Sequence, residues 1–264
     1  MTSAIVRAEL RAAPSNSSAL AVLTGSVLRA GLREGQFAFA ALSPVIFFLC
    51  LYTPMHRRFE AGTAAGNYAQ YVAPVIIVQA VLFAAIVSAE VAGEAARHGT
   101  RERLASLPIR RTDPLVARMA GAVVRALVAV ATSTGIAAAF GFRFSGSAVD
   151  IVGFIALPAM LVLVLSLLTD ALASSVAHPD SVAQSLTIPA LVLVVLSTGL
   201  VPAGSFPSWI RGFVTHQPIS LAADAMRGLS TGGSVRWGEL VAWLVGLSVA
   251  GVFAARAAGR KAVR

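Results

Sequence analysis

Residues 70–93 read QYVAPVIIVQAVLFAAIVSAEVAG, and Glu90 is the only charged side chain among them. An α-helix rises about 1.5 Å per residue, so this stretch is long enough to cross the roughly 30 Å hydrocarbon core of a bilayer. Pro74 lies near its start, where a membrane helix tolerates proline better than a soluble helix does. The stretch therefore predicts a transmembrane helix that carries one acidic residue near its end.

Comparable apolar runs lie on both sides of this stretch and make up most of the chain. Of the 264 residues, 57% are hydrophobic and 12% are charged, whereas soluble domains carry about a quarter charged residues. Besides residues 70–93, the predicted spans are Gln36 to Pro54, Leu115 to Phe142, Val149 to Ala177, Ala183 to Val201 and Gly238 to Ala258. We predict an all-α integral membrane protein with six transmembrane helices.

Basic residues are distributed unevenly between the two sides of this six-span arrangement. The connections on the side of the two termini hold fourteen arginines and lysines, and those on the other side hold six. Because basic residues accumulate in cytoplasmic loops, we expect both termini in the cytoplasm and the protein in the plasma membrane. The arginines do not form one basic face with interleaved aromatic residues, so the net charge of +9 reflects membrane topology rather than nucleic-acid binding.

The segment before the first span, residues 18–35, combines five apolar side chains on one helical arc with Arg29 and Arg33 opposite. This pattern predicts an amphipathic helix on the membrane surface. A signal peptide is the alternative, but its apolar core would be too short. We divide the chain into a mobile N-terminal tail, residues 1–17, and one transmembrane domain, residues 18–264.

The sequence offers little for catalysis. A P-loop needs Gly-Lys-Ser/Thr, and the single lysine of the chain stands in Gly259-Arg260-Lys261-Ala262. The four histidines are isolated from one another, which argues against metal or hydrolytic chemistry. We therefore expect no catalytic residue, cofactor or metal in this chain, and an intramembrane enzyme is the alternative from another functional class.

Four charged residues lie within or near the ends of predicted spans: Glu90, Arg118, Arg125 and Asp170. A charge inside a bilayer is costly and normally finds a partner. Counted from the predicted helix ends, Glu90 matches Arg118 in depth, and Arg125 lies nearest to Asp170. We predict these two ion pairs, and the alternative is that each side chain reaches the headgroups by snorkelling.

The connection after the second span has a pattern of its own, because residues 94–108 read EAARHGTRERLASLP. Gly99 can end the preceding helix, Thr100 can cap a new one and Pro108 can stop it. Leu104 shares one helical face with the leucine three residues later. This predicts a short amphipathic helix on the cytoplasmic face that needs a partner to pack against, and the alternative is a basic loop that only fixes topology.

Residues 197–228 contain two short, half-hydrophobic segments between the last two spans. Pro207 and Pro218 bracket the first segment, and Trp209 is suited to the membrane interface. Apolar residues recur there at helical spacing, which would expose a large apolar patch in water. We expect a helical hairpin that dips into the outer leaflet, and an ordinary amphipathic surface helix is the alternative.

These last two patterns carry a family resemblance. The coupling helix of ABC-2-type permeases, the membrane subunits of type V ABC exporters, resembles the segment Gly99-Thr100-x-Glu102-Arg103-Leu104-x-x-x-Pro108. The resemblance implies that this helix and the surface helix before the first span contact a separate ATPase subunit. The implied coupling residues are Gly99, Thr100, Glu102, Arg103, Leu104, Leu107 and Pro108. Just upstream, Ala95 and Arg97 stand where the family commonly has acidic residues, so no salt bridge is carried over to those positions.

The segment between the last two spans is similar to the re-entrant hairpin at the outer end of the ABC-2 permease pathway. The sequence of this segment resembles that of permeases of the daunorubicin-resistance type, including mycobacterial relatives that export complex lipids. The implied gate residues are Gly199, Pro202, Phe206, Pro207, Trp209, Pro218 and Arg227.

The resemblance implies a permease subunit of an ATP-driven exporter. Such a subunit moves a hydrophobic or amphipathic substrate, a drug or a complex lipid, out of the cytoplasm or the inner leaflet. The implied partners are two copies of an ABC ATPase, which bind ATP and Mg, and a second permease, identical or homologous. A polysaccharide-exporting permease is the alternative within this class, although the apolar spans offer little to bind a highly charged polymer.

Overall fold

The computed structural model describes residues 16–62, 67–97, 106, 110, 112–175 and 180–261, and over these residues the chain is all-helical, as predicted. A short 3-10 turn, Ala203–Ser205, is the one helical element of this part that is not an α-helix. The α-helices are α1 (Asn16–Arg33), α2 (Gln36–Gly62), α3 (Tyr68–Arg97), α4 (Asp113–Ala139), α5 (Ala148–Ser175), α6 (Asp180–Val195), α7 (Ser208–His216), α8 (Pro218–Thr231) and α9 (Trp237–Lys261).

Five helices of the described part are long and apolar enough to cross a membrane. Their spanning stretches are Gln36–His56, Tyr68–Ala95, Asp113–Ala139, Ala148–Ala173 and Trp237–Arg256. Five of the six predicted spans are thereby confirmed in length and composition. The exception is the predicted span Ala183 to Val201, because the apolar part of α6, Val182–Val195, is about 21 Å long and falls short of the hydrocarbon core. A crossing at α6 stays a prediction.

The long helices alternate in direction. Tyr71 at the start of α3 contacts Thr198 just after α6, and Arg118 near the start of α4 contacts Asp170 near the end of α5. We call the end of the bundle that carries α7 and α8 the hairpin end, and the other end the opposite end. α2, α4 and α6 run toward the hairpin end, and α3, α5 and α9 run away from it.

α3 forms the centre of the bundle. The apolar part of its spanning stretch is 83% buried, against 17% to 39% for the other four spanning helices. Val72, Ile77 and Val81 are fully buried there. The sequence explains this position, since a helix that is apolar on all sides is suited to burial on all sides.

The outer helices present apolar faces to their surroundings. Val152 on α5 and Val245 and Phe253 on α9 are each more than half exposed. In water such faces would form a large apolar patch, whereas lipid chains cover them without cost. The exterior of the bundle therefore suits a bilayer.

The first helix, α1, lies against α4. Its Val27 side chain packs over Gly121, where a Cβ atom would come within 2.9 Å of Val27 Cγ1. A larger residue at position 121 would push the two helices apart. A helix is therefore present in this segment and packs on the bundle near the start of α4. Its position on the membrane surface stays a prediction.

Candidate functional site

Two polar layers lie at the two ends of the bundle, and the first contains an ion pair between α4 and α5. Arg118 donates from Nε to Asp170 Oδ1 at 2.8 Å and from Nη2 to Asp170 Oδ2 at 2.9 Å. The side chains are 21% and 9% exposed, so the pair is largely shielded from its surroundings. Two parallel bonds of this kind are among the stronger polar contacts in proteins.

This pairing corrects the sequence-based prediction, which joined Arg118 to Glu90 and Arg125 to Asp170. The predicted pairing was wrong because it counted depth from helix ends that differ from those in the structure. α4 begins at Asp113 and the described part of α5 ends at Ser175, so Arg118 and Asp170 each lie about 7.5 Å from an end of their helix. They are therefore at the same depth, whereas Arg125 lies seven residues, or about two turns, beyond the level of Asp170.

Arg125 is buried, with 2% of its surface exposed, and is held by neutral groups. Its Nη1 donates to Gln36 Oε1 at 3.1 Å, and its Nη2 donates to Ser88 Oγ at 3.0 Å. The Ser88 hydroxyl lies 3.3 Å from the Ser166 hydroxyl on α5. Arg125 thus connects α4 to α2 and α3 directly and to α5 through Ser88. Among the described residues no carboxylate lies within ion-pair distance of it, and its Nε has no hydrogen-bond partner.

Gln36 extends this contact toward the surface. Its Nε2 donates to Glu34 Oε2 at 2.7 Å while its Oε1 accepts from Arg125. One neutral amide therefore joins an exposed carboxylate to a buried guanidinium. Glu90, which is exposed, attracts Arg125 electrostatically without touching it.

A cleft opens beside this group, between the start of α2, α3 and α6. Its volume is ≈ 410 Å³, and its lining includes Glu34, Gln36, Phe39, Phe83, Glu90 and Thr187. A cavity of ≈ 10 Å³, about the size needed for one water molecule, adjoins it and is lined by Gln36 and Arg125 among others. The cleft combines two carboxylates with aromatic surface.

The second polar layer lies at the hairpin end and is centred on Asp224 of α8. Arg227 Nη1 contacts Asp224 Oδ1 at 2.6 Å, and Arg236 Nη2 contacts Asp224 Oδ2 at 3.2 Å. Arg227 also donates from Nη2 to the backbone oxygen of Tyr71 at 3.1 Å, with its guanidinium carbon 4.1 Å from the centre of the Tyr71 ring. A cation over an aromatic face is attracted to it, so Arg227 fastens α8 to α3 in two ways.

The same layer fixes the end of α6. Gln217 Nε2 donates to the backbone oxygens of Leu193 and Leu196, which the helix end leaves without helical partners. The Tyr71 hydroxyl donates to the Thr198 backbone oxygen at 2.6 Å, and the Thr198 N–H donates to Ser220 Oγ at 3.0 Å. The turn after α6 is thereby tied to α3 and α8.

The predicted gate residues occupy different environments in this hairpin. Gly199 is buried so closely against Val75 of α3 that a Cβ atom would collide with it. Pro202 precedes the 3-10 turn, Phe206 is half-buried after it, Pro207 precedes α7, and Pro218 is the first residue of α8. Trp209 is 82% exposed and points away from the core. Gly199 and Arg227 both contact α3, whereas Trp209 lies on the outer surface of the bundle.

Several residues of this layer are absent from the sequence-based prediction, above all Tyr71, Asp224 and Arg236. One signal could have identified Asp224. It is the only acidic residue between Asp180 and Glu239, and it stands three residues before Arg227, the helical spacing of an ion pair.

The predicted coupling residues lie outside the described residues. This applies to Gly99, Thr100, Glu102, Arg103, Leu104, Leu107 and Pro108, whose roles stay predictions. Over the ranges that the structure describes, no group of three or more His, Cys, Asp or Glu side chains could hold a metal ion.

Comparison with known proteins places this bundle among transport proteins. Residues 52–257 match a family described as ABC-2 family transporter protein. The doxorubicin resistance ABC transporter permease protein DrrB of Mycobacterium tuberculosis is 34% identical over 220 residues, which cover 81% of this chain and 76% of DrrB. The daunorubicin resistance ABC transporter permease protein DrrB1 of Streptomyces coeruleorubidus is 28% identical over 218 residues, covering 81% of this chain and 75% of DrrB1.

A further relative matches over a shorter stretch. The probable doxorubicin resistance ABC transporter permease protein DrrC of Mycobacterium tuberculosis is 34% identical over 154 residues, or 57% of this chain. The chain thus spans 55% of the length of DrrC and three quarters of the length of the two DrrB proteins.

Proposed function

The chain belongs to the ABC-2 family of transporter proteins, and from this premise we propose that it is the transmembrane permease subunit of an ATP-driven exporter. Its substrate is a hydrophobic or amphipathic molecule, a drug or a complex lipid, which it moves out of the cytoplasm or the inner leaflet. The observation that carries the proposal is the match over residues 52–257 on a bundle with five helices of spanning length. The names of the permeases DrrB and DrrB1 support a drug-like substrate.

The distribution of polar groups supports a transport role. One polar layer, around Arg118, Asp170 and Arg125, lies at the opposite end, and the other, around Asp224, lies at the hairpin end. The stretch of α3 between them is buried and, apart from Gln79, largely apolar. Polar groups at membrane depth are costly and mark functional or structural contacts, so a bundle that concentrates them in two layers suits a pathway with two controlled ends.

The energy for transport comes from a separate subunit. The single lysine of the chain is not in a P-loop, so ATP and Mg bind to a partner ATPase, two copies of which work with two permeases. The partner contacts residues 99–108 together with α1. This contact is supported by the packing of Val27 on Gly121, which holds α1 against α4, the helix that follows residues 99–108.

The two ends of the bundle face different compartments in this proposal. The opposite end, with both termini, lies in the cytoplasm, as the excess of basic residues on that side indicates. The hairpin end lies outside, where α7 and α8 close the export pathway. The exposed Trp209 on α7 suits the membrane interface, and the buried α8 anchors the closure on α3.

Reconstitution of the permease with its ATPase in vesicles tests this function. We expect a fluorescent amphipathic substrate to move across the bilayer when ATP is present and not when a non-hydrolysable ATP analogue replaces it. Vesicles with the ATPase alone serve as the control. Transport that needs no ATP, or movement of a charged polysaccharide without movement of any amphipathic molecule, would contradict the proposal.

A further inference from the structure

We propose that the cleft between the start of α2, α3 and α6 binds an amphipathic organic cation, with Glu90 and Glu34 facing its positive group and Phe39 and Phe83 facing its apolar body. This inference rests on the proposed export function and names the substrate class and the site. The source of the cation is a drug-like molecule or a lipid with an ammonium headgroup. Both present the same chemistry to the cleft.

The charges of the cleft select for a cation. Glu34 and Glu90 both line it, and no basic side chain of the described residues does so. Glu90 makes no ion pair or hydrogen bond with the described residues, so its carboxylate is available to a ligand. Arg125, the buried basic side chain that Glu90 attracts, lies behind Gln36 and lines only the small adjoining cavity.

The apolar part of the lining suits the body of the same ligand. The rings of Phe39 and Phe83 lie 6.5 Å apart, and Phe39 is 54% exposed. Aromatic faces attract organic cations in addition to covering apolar surface. A volume of ≈ 410 Å³ lies within the range of sites for small organic molecules, about 300 to 1,000 Å³.

The depth of the cleft matches an amphipathic molecule in a bilayer. Glu90 lies seven residues, or about 10 Å, inside the end of α3. An amphipathic cation places its charge near the headgroups and its apolar part among the lipid chains. The carboxylates of the cleft lie where that charge would be, and the phenylalanines reach toward the lipid chains.

Gln36 is the positioning residue of this site. Its amide holds Glu34 on one side and Arg125 on the other. Arg125 lies behind this amide and lines the small adjoining cavity, not the cleft itself. An amide at this point therefore fixes one carboxylate for the ligand and keeps the buried guanidinium away from it.

A pair of probes that differ in charge and share a shape tests the inference. Tetraphenylphosphonium is a cation, and tetraphenylborate is an anion of the same form. Binding of each is measured on the permease with its ATPase in nanodiscs of neutral lipid, with protein-free nanodiscs subtracted. We expect the protein to prefer the cation, and the combined variant Glu34→Gln/Glu90→Gln to lose at least about tenfold in affinity for the cation and none for the anion.

Glu239→Gln is the matched control, since it removes one carboxylate at the hairpin end. It should leave cation binding unchanged. Equal affinity for both probes in the unaltered protein, or an unchanged preference in the combined variant, would overturn the inference. If ATP-driven export of a neutral amphipathic molecule persisted in that case, the cleft assignment alone would fail. If no amphipathic molecule were exported at all, the proposed function would fail.

A second measurement locates the ligand. In a Cys50→Ala background, a cysteine introduced by Thr187→Cys lies in the cleft, and one introduced by Ser26→Cys lies on the exposed face of α1. We expect the phosphonium cation to slow thiol labelling at position 187 and not at position 26. Equal protection at both positions, or none at position 187, would place the cation elsewhere and overturn the site.

Discussion

Arg118 and Asp170 form a two-bond ion pair, with Nε to Oδ1 at 2.8 Å and Nη2 to Oδ2 at 2.9 Å, that joins α4 to α5. Replacing Asp170 with Asn leaves the guanidinium of Arg118 without its carboxylate. Since Arg118 is a fifth exposed, we expect a loss of about 2 kcal/mol rather than the full value for a buried pair. Thermal unfolding in detergent should show Asp170→Asn with a Tm lower by several degrees.

The control for this pair is a double-mutant cycle with Arg118→Gln. The combined variant should be more stable than the sum of the two single changes predicts, because each single change leaves an unpaired group. Glu90→Gln, by contrast, should leave the Tm unchanged, since Glu90 has no direct partner among the described residues. Additive effects in the cycle would show that the pair does not stabilise the protein.

Arg125 should respond differently from Arg118, because it is buried without a carboxylate. A methionine fills much of the same space and carries no charge, and replacing a buried charge by an apolar side chain is often neutral or stabilising. We expect Arg125→Met to keep or raise the Tm while reducing transport, and Arg125→Ala to lower the Tm through the cavity it leaves. A large loss of stability in Arg125→Met would mean that its hydrogen bonds to Gln36 and Ser88 outweigh the cost of its burial.

The sequence could predict the long helices because the length and continuity of an apolar run limit what it can form. Residues 70–93 illustrate this, since a run that is apolar on all sides must be buried or lie in lipid. The end of α6 could not be predicted in the same way. Leu193 and Leu196 direct their backbone oxygens to Gln217, more than twenty residues later, and this tertiary contact stabilises the helix end.

At the candidate site too, the sequence alone could not predict which side chains are in contact. Charged residues within spans could be identified from the sequence, but their partners depend on depth, and depth depends on where each helix begins. A two-residue difference at the start of α4 moves a side chain by about 3 Å, enough to change which acid Arg118 reaches. Neutral partners such as Gln36 and Ser88 carry no signal that separates them from other polar residues in apolar runs.

In the hairpin, we expect one residue to stabilise the fold and another to act in gating. Asp224 contacts both Arg227 and Arg236, whereas Trp209 is 82% exposed. We expect Asp224→Asn to speed amide hydrogen exchange in α8 and lower the Tm, because Arg227 loses its carboxylate and Arg236 keeps only Glu239. Trp209→Ala should leave the Tm unchanged and reduce export, since its ring covers no core residue. Equal losses of Tm in both variants would contradict this division of roles.

Membrane topology gives a further prediction. In a Cys50→Ala background, cysteines introduced by Ser106→Cys and Ser205→Cys test the two ends, because position 106 precedes α4, which begins at the opposite end, and position 205 precedes α7 at the hairpin end. Both serines are exposed. An impermeant thiol reagent applied to intact cells should label position 205 and not position 106, and permeabilised cells should allow both. The reverse pattern would invert the orientation inferred from the basic residues.

The last prediction concerns the contact with the ATPase at residues 99–108. An apolar face of a short helix is desolvated when it docks on a partner, so Leu104→Asp would place a charge where water is excluded. We expect Leu104→Asp and Glu102→Arg to reduce co-purification of the ATPase and to abolish stimulation of ATP hydrolysis by substrate, with the permease still inserted and its Tm unchanged. Ser106→Ala, in the same segment, is the matched control and should retain both properties. Full co-purification and normal stimulated hydrolysis in both charged variants would show that this segment is not the coupling contact. That result would not bear on the cleft or on the hairpin.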